Sequence, residues 1–204
     1  MKHKVIGLVF GAIVATVSVH ASAFGLGDLT GAAGGGGSRS ISAKDLLGLY
    51  IGSGQLVASG QVKLLNAVDM KDAAARLEAK AKNLTSGATS DSLEDTATEQ
   101  TAGSKALVEK LAANKVPLTA DAKKQFGAGL IDFAKGVTGY VGMGSSVSKF
   151  KPSISDFGAA AGSAMYIVKS LPTTTENVTT TLKQAIAFAK ENKIDLPKDV
   201  DAFK

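Results

Sequence analysis

The sequence predicts an all-α protein: a helical bundle of about six helices that follows a cleaved signal peptide and a flexible glycine-rich segment. Beyond the first 41 residues the chain consists largely of Ala, Leu, Lys and Val, with apolar side chains at helical spacing. Its four prolines fall between these periodic stretches, where helices end. The alternation of apolar and polar residues that is typical of half-buried strands is hard to find.

The first 23 residues have the pattern of a secretory signal peptide. Lys2 and Lys4 precede a mostly apolar, uncharged stretch from Val5 to Val19, and small residues follow at 21–23. The alternative is a short membrane anchor, but the apolar stretch is shorter than the ~20 residues that a spanning helix needs. We therefore predict cleavage after Ala23 and a periplasmic (or secreted) protein that is not an integral membrane protein.

Removal of this leader would also remove both histidines, and the sequence has no cysteine. Most familiar metal sites and most nucleophile–base pairs need one of these side chains. We therefore predict no catalytic residue, no metal site and no cofactor, and a protein that is not an enzyme. The net charge of +5, or +3 without Lys2 and Lys4, includes no basic block. The sequence thus predicts no nucleic-acid binding.

The domain organisation follows from composition. Residues 24–41 form the predicted flexible linker, since a run of four glycines, Gly34 to Gly37, loses much backbone entropy on ordering. Residues 42–204 form a single predicted α-helical domain. A chain of this size can build a core without disulfides.

Capping residues and prolines give the helix boundaries. Three segments resemble capping boxes: Ser42-x-x-Asp45, Ser153-x-x-Asp156 and Thr173-x-x-Glu176. Asp69 and Thr119 are simpler candidate N-caps, and Asn114 and Asn192 are candidate left-handed residues at helix ends. The predicted helices span 42–67, 70–84, 92–114, 120–149, 154–171 and 174–192, and a short turn follows Pro197.

Two of these helices have unusual compositions. The first has no charged residue from Leu46 to Val62, which predicts a central position in the bundle. The fourth contains interior glycines, each of which costs roughly 0.8–1 kcal/mol relative to alanine. We expect close helix–helix approach to offset this cost; the alternatives are room for an apolar ligand, a bend, or a break near Gly142 to Ser146. The glycines are Gly127, Gly129, Gly136, Gly139, Gly142 and Gly144.

The candidate site is a ligand-binding or helix-contact face that combines these glycines with small-residue motifs on other helices. It consists of Gly48, Gly52, Gly136, Gly139, Tyr140, Gly158 and Gly162. Two polar patterns are interpreted structurally. Ser146-x-x-Lys149 lacks the companion motifs of penicillin-recognising enzymes. The acidic cluster of Asp91, Glu94, Asp95 and Glu99 is expected to stabilise a helix N-terminus.

From these features we predict a non-enzymatic accessory or binding protein that acts through protein–protein interaction in the cell envelope, in assembly, secretion or a chaperone-like role. The alternative is a carrier of a lipid or another apolar ligand held between the glycine-rich helices. The expected partner is accordingly an envelope protein or an apolar small molecule.

Overall fold

The computed structural model describes residues 41–113, 118–151 and 159–203, and in these ranges the chain contains helices and no strand. The α-helices are α1 (Ala43–Ala67), α2 (Lys71–Ala81), α3 (Ser90–Ala112), α4 (Ala120–Lys149) and α5 (Ala159–Glu191), and a 3-10 helix spans Lys198–Phe203. The prediction of an all-helical chain is confirmed, with five described α-helices in place of about six. The predicted signal peptide, nearly all of the linker, Asn114, the Ser153 capping box and Gly158 lie outside the described residues.

Side-chain caps begin three of the helices. The Ser42 hydroxyl accepts a hydrogen bond from Asp45 N at 3.1 Å, and the Thr119 hydroxyl accepts one from Ala122 N at 3.1 Å. Both predicted caps are therefore confirmed. Thr89 caps α3, which begins two residues before the predicted start.

The residue Asp69 ends α1 instead of capping α2, so its predicted role is wrong. Its φ angle is 60°, in the left-handed region. Asp69 N donates to Asn66 O at 3.1 Å, and Met70 N donates to Leu65 O at 2.8 Å. This pair of bonds satisfies carbonyls that the helix end would otherwise leave free, in the pattern of a Schellman motif.

The end of α5 repeats this geometry one residue later than predicted. Lys193, with a φ angle of 54°, takes the left-handed position instead of Asn192. Ile194 N donates to Ala189 O at 2.9 Å, and the Ile194 side chain is buried. In a helix end of this type, the buried apolar residue comes directly after the left-handed residue. Ile194 is the buried apolar residue here, so the left-handed position falls on Lys193 and not on Asn192.

The helix α5 continues through Pro172, so the predicted division into helices 154–171 and 174–192 is wrong. Pro172 is exposed, and the buried stripe keeps its helical register on both sides of it, with Leu171 and Val178 two turns apart. Water can reach the exposed face where proline removes an N–H donor, while packing of the opposite face holds the helix together. The stripe comprises Ala164, Ile167, Leu171, Val178, Leu182, Ala185 and Ala189.

The helix α1 lies at the centre of the fold and contacts each of the other four described α-helices. Its most extensive contact is with α4, which runs antiparallel to it, because Gly60 lies against Phe133 and Ser53 against Gly139. Side chains such as Leu46, Leu64 and Phe133 are fully buried in one continuous core.

Candidate functional site

Glycines bring α1 and α4 into close contact. A Cβ atom at Gly136 would lie 2.5 Å from Val57 N and 2.8 Å from Ser53 O. A Cβ atom at Gly60 would lie 2.6 Å from the Phe133 Cβ, and one at Gly139 would overlap the Ser53 hydroxyl. The two helices can approach this closely only because these positions carry no side chain.

A polar cluster borders this contact. Lys63 Nζ forms an ion pair with Asp132 Oδ2 at 2.5 Å, and the Ser59 hydroxyl donates to the same oxygen at 2.8 Å. The cluster joins α1 to α4 and, with the glycines, fixes the register between them.

The structure brings together three of the predicted site residues. Gly136, Gly139 and Tyr140 are buried where α4 meets α1. Gly48, Gly52 and Gly162 are exposed, and a Cβ atom at any of them would have no heavy atom of a neighbouring element within 4 Å.

The glycine-rich stretch of α4 is part of one continuous helix, and residues of α1 occupy the space beside its buried glycines. α4 runs unbroken from Ala120 to Lys149, so the helix does not break near Gly142. Val57 and Ser53 occupy the space beside Gly136 and Gly139. The described contact therefore leaves no room for a ligand between α1 and α4 at these glycines.

All three tyrosines of the chain come from different helices and lie in one region. The rings of Tyr50 and Tyr140 are both buried, with centroids 5.2 Å apart and planes inclined by 36°. Burial raises the pKa of the Tyr50 hydroxyl from 10.0 to about 12 and raises the pKa of Tyr140 well above 10.0. Burial also raises the pKa of the half-buried Tyr166. These hydroxyls are therefore neutral at pH 7.

Buried amides connect α3 to α1. Gln61 Nε2 donates to Gln100 O at 2.8 Å and to the Ser104 hydroxyl at 3.1 Å, and Gln100 Nε2 donates to Gly54 O at 3.2 Å. Both glutamine side chains are almost fully buried. These bonds fix the register of α3 against α1, which makes their role structural.

The acidic cluster is used differently from the prediction. Asp91 lies in the first turn of α3, as expected for an interaction with the helix N-terminus. Asp95 and Glu99 instead form ion pairs with α2, at 2.7 Å to Lys80 and 3.1 Å to Arg76. In the part of the chain that the structure describes, no group of three such side chains is placed to hold a metal ion.

The outward side of α1 carries no charged residue between Asp45 and Lys63. We call this surface the α1 face; it comprises Gly48, Leu49, Gly52, Gln55, Leu56, Ser59 and Val62. Gly48, Gly52 and Gln55 are exposed, and the other four are half-buried. The Gln55 amide donates to Leu84 O at 2.8 Å, and Ser59 bonds Asp132, so the polar groups of the α1 face are already engaged. Apart from Gln55, the exposed residues of the α1 face are glycines, and its apolar side chains Leu49, Leu56 and Val62 are half-buried.

Sequence reasoning missed two features of the site. Gly60, which meets Gly129 and Phe133, stands alone in its part of α1, so no spacing pattern marks it. The proximity of Tyr50, Tyr140 and Tyr166 joins residues far apart in the chain. Such a cluster has no local sequence pattern.

The comparisons with known proteins give no relative: no protein-family model, curated protein or solved structure matches the chain. Among the helices of the described ranges, none is both long enough and apolar enough to span a bilayer. Any statement about function must therefore rest on the chemistry of the chain itself.

Proposed function

We propose that the chain is an exported, non-enzymatic accessory protein that acts through protein–protein interaction in the cell envelope, with the α1 face as its contact surface. The observation that carries the proposal is the uncharged stretch of α1, nearly five turns long, whose outer side reaches the surface. An exposed helix side normally carries charged residues, and a contiguous uncharged surface is typical of a contact site.

The composition of the α1 face suits a protein partner. Gly48 and Gly52 would let the backbone of a partner helix approach closely, as glycines already do inside the molecule. Leu49 and Leu56 are half-buried on either side of Gly52, and their accessible parts supply apolar anchors. Export is supported by the signal-peptide pattern of the first 23 residues.

The lipid-carrier alternative requires space between the glycine-rich helices. The contacts of Gly136 and Gly139 with α1 use that space, so the geometry favours the protein-interaction proposal.

Photo-crosslinking in the protein's own host tests this proposal. A photoreactive side chain at Gly52 should give a discrete crosslinked species that mass spectrometry identifies as one reproducible partner. The same side chain at the exposed Thr101 of α3 is the positional control and should give none.

A pair of glutamate variants tests whether the α1 face itself makes the contact. Leu56→Glu should abolish the crosslink from Gly52, because it would bury a charge in the contact. Val141→Glu, at another exposed apolar residue, should leave the crosslink intact. Equal crosslinking from Thr101, or an unchanged crosslink in Leu56→Glu with an unchanged melting temperature, would exclude the α1 face as the contact surface.

A further inference from the structure

A groove of about 590 Å³ lies between the first turns of α4 and the segment that follows α5. Most residues that line it are small or apolar: Gly127, Ala128, Ile131, Ile194, Leu196 and Pro197. Three lysines, Lys123, Lys124 and Lys193, and one carboxylate, Asp195, also line the groove. Outside the lining, Asp121 forms a long, exposed ion pair with Lys124 at 4.0 Å, so Lys123 and Lys193 keep the groove cationic. Its volume is within the range of small-molecule sites.

Contacts between α4 and the segment that follows α5 fix the shape of the groove. Lys123 Nζ donates to Asn192 O at 2.7 Å and so ties α4 to the end of α5. The left-handed Lys193 turns the chain, and the buried Ile194 anchors it to the core. A Cβ atom at Gly127 would lie 3.6 Å from Asp195 O, so this segment passes close to α4. Because the groove is already ordered, little free energy is lost in ordering it when a ligand binds.

The chemistry of the lining points to an amphiphilic anion. The excess of lysine favours a negative head group, and the apolar residues favour an aliphatic chain. No arginine is among the described groove residues, so the guanidinium fork that recognises phosphate in a bidentate manner is missing. We propose that this groove binds the anion of a single fatty acid.

The Ile131 side chain is the natural test position for the aliphatic chain. It lines the groove and is partly exposed, outside the set of buried core side chains, so replacing it should not unfold the protein. Lys124 and Lys193 are exposed, and neither donates a hydrogen bond that holds the groove walls together. The site lies toward the opposite end of α4 from Gly142 and is separate from the α1 face, so it does not depend on the proposed function.

Calorimetric titration of the full chain with dodecanoate measures the binding directly. We expect saturable binding at one site. Ile131→Glu should weaken binding at least about tenfold, because it places a carboxylate beside the aliphatic chain. Lys124→Glu/Lys193→Glu should also weaken it at least about tenfold and reverse its salt dependence, because salt would then screen a repulsion.

Matched variants control for unspecific effects. Val141→Glu makes the same change as Ile131→Glu at an apolar residue of α4 outside the groove. Lys105→Glu/Lys183→Glu makes the same charge change at exposed lysines of α3 and α5. Both should bind dodecanoate within about twofold of the unchanged protein. Circular dichroism establishes that each variant is folded, and the double lysine variant decides the matter if Ile131→Glu unfolds.

Several outcomes would overturn the proposal. They are the absence of saturable dodecanoate binding, an equal loss of affinity in the control variants, or equal affinity for dodecanol, which lacks the charge. Binding to vesicles of anionic phospholipid without binding to free dodecanoate would replace the single-ligand groove with a membrane-surface contact.

Discussion

Gly136 and Gly142 belong to the same helix but differ in what surrounds them. The missing side chain of Gly136 is the space that the α1 backbone occupies, whereas Gly142 faces open space. At Gly142 an added methyl group would have no neighbour, so its effect on the free energy of unfolding comes only from the backbone entropy that glycine loses on folding. The two positions therefore separate the cost of glycine in a helix from its use in packing.

Substituting these two glycines should change stability in opposite directions. Gly136→Ala should lower the free energy of unfolding by about 2–3 kcal/mol, because the new Cβ atom must push α1 away. Gly142→Ala should raise it by about 0.5–1 kcal/mol. Urea denaturation measures both values. A neutral Gly136→Ala variant would contradict the close approach of α1 and α4.

The left-handed residue Asp69 gives a second prediction at the residue scale. Asp69→Gly should raise the free energy of unfolding by up to about 1 kcal/mol, since glycine adopts a φ angle of 60° without steric cost. Asp72→Gly makes the same change in the first turn of α2 and should lower it by about 0.5–1 kcal/mol, because glycine is a poorer helix former and the favourable interaction of the carboxylate with the helix N-terminus is lost. Thermal or urea unfolding of the pair checks the signs, and equal signs would contradict the Schellman geometry.

At the scale of a helix, Pro172 shows how packing overrides a helix breaker. Pro172→Ala should raise the free energy of unfolding by about 1–2 kcal/mol, because it restores an N–H donor inside a continuous α5. Hydrogen exchange should slow in the turns on either side of residue 172. No change in either measurement would mean that α5 is interrupted at this position. Thr173→Ala is the control at an exposed neighbour and should raise the free energy of unfolding by only about 0.5 kcal/mol, the difference in helix propensity.

How much of each element could be predicted depended on whether its signal was local. Ser42 and Thr119 cap their helices as predicted because an N-cap needs only the next three residues. Pro172 misled the prediction because the local preference of proline opposed a packing stripe spread over the whole helix. That stripe was present in the sequence: Leu171 and Val178 keep the seven-residue spacing across the proline.

The candidate site was predictable only in part for the same reason. Glycine composition identified α4 as a helix in close contact, but the sequence does not specify which of the candidate glycines lie at the contact between α1 and α4. Gly136 and Gly139 do, whereas Gly48 and Gly52 face outward. Whether a glycine faces a neighbouring helix or solvent depends on the rotation of its helix about the helix axis, and long-range packing sets that rotation.

At the scale of the whole molecule, the buried polar groups connect the helices. Tyr50, Tyr140 and Tyr166 come from α1, α4 and α5, and the Gln61–Gln100 pair joins α1 to α3. Tyr50, Tyr140 and the two glutamines cannot reach water unless several helices separate, whereas Tyr166 is half-buried. The protonation of the buried tyrosines is therefore coupled to the stability of the entire fold.

This coupling predicts how the protein responds to alkali. Burial raises the folded-state pKa of Tyr50 from 10.0 to about 12, so the unfolded chain loses this proton first as the pH rises. The stability contribution is complete below pH 10 and is lost between pH 10 and about pH 12, with a slope of about 1.4 kcal/mol per pH unit. Tyr140, whose pKa is also raised, adds a slope of the same sign.

Urea denaturation across this pH range, with tyrosinate absorbance and circular dichroism recorded together, tests the prediction. Tyr50→Phe should remove about 1.4 kcal/mol per pH unit from the slope, whereas Tyr166→Phe, at the half-buried position, should remove less. In the Tyr166→Phe variant, which lacks the half-buried hydroxyl, tyrosinate absorbance should rise only as helicity is lost. If it rose first, water would reach Tyr50 and Tyr140 without separation of the helices.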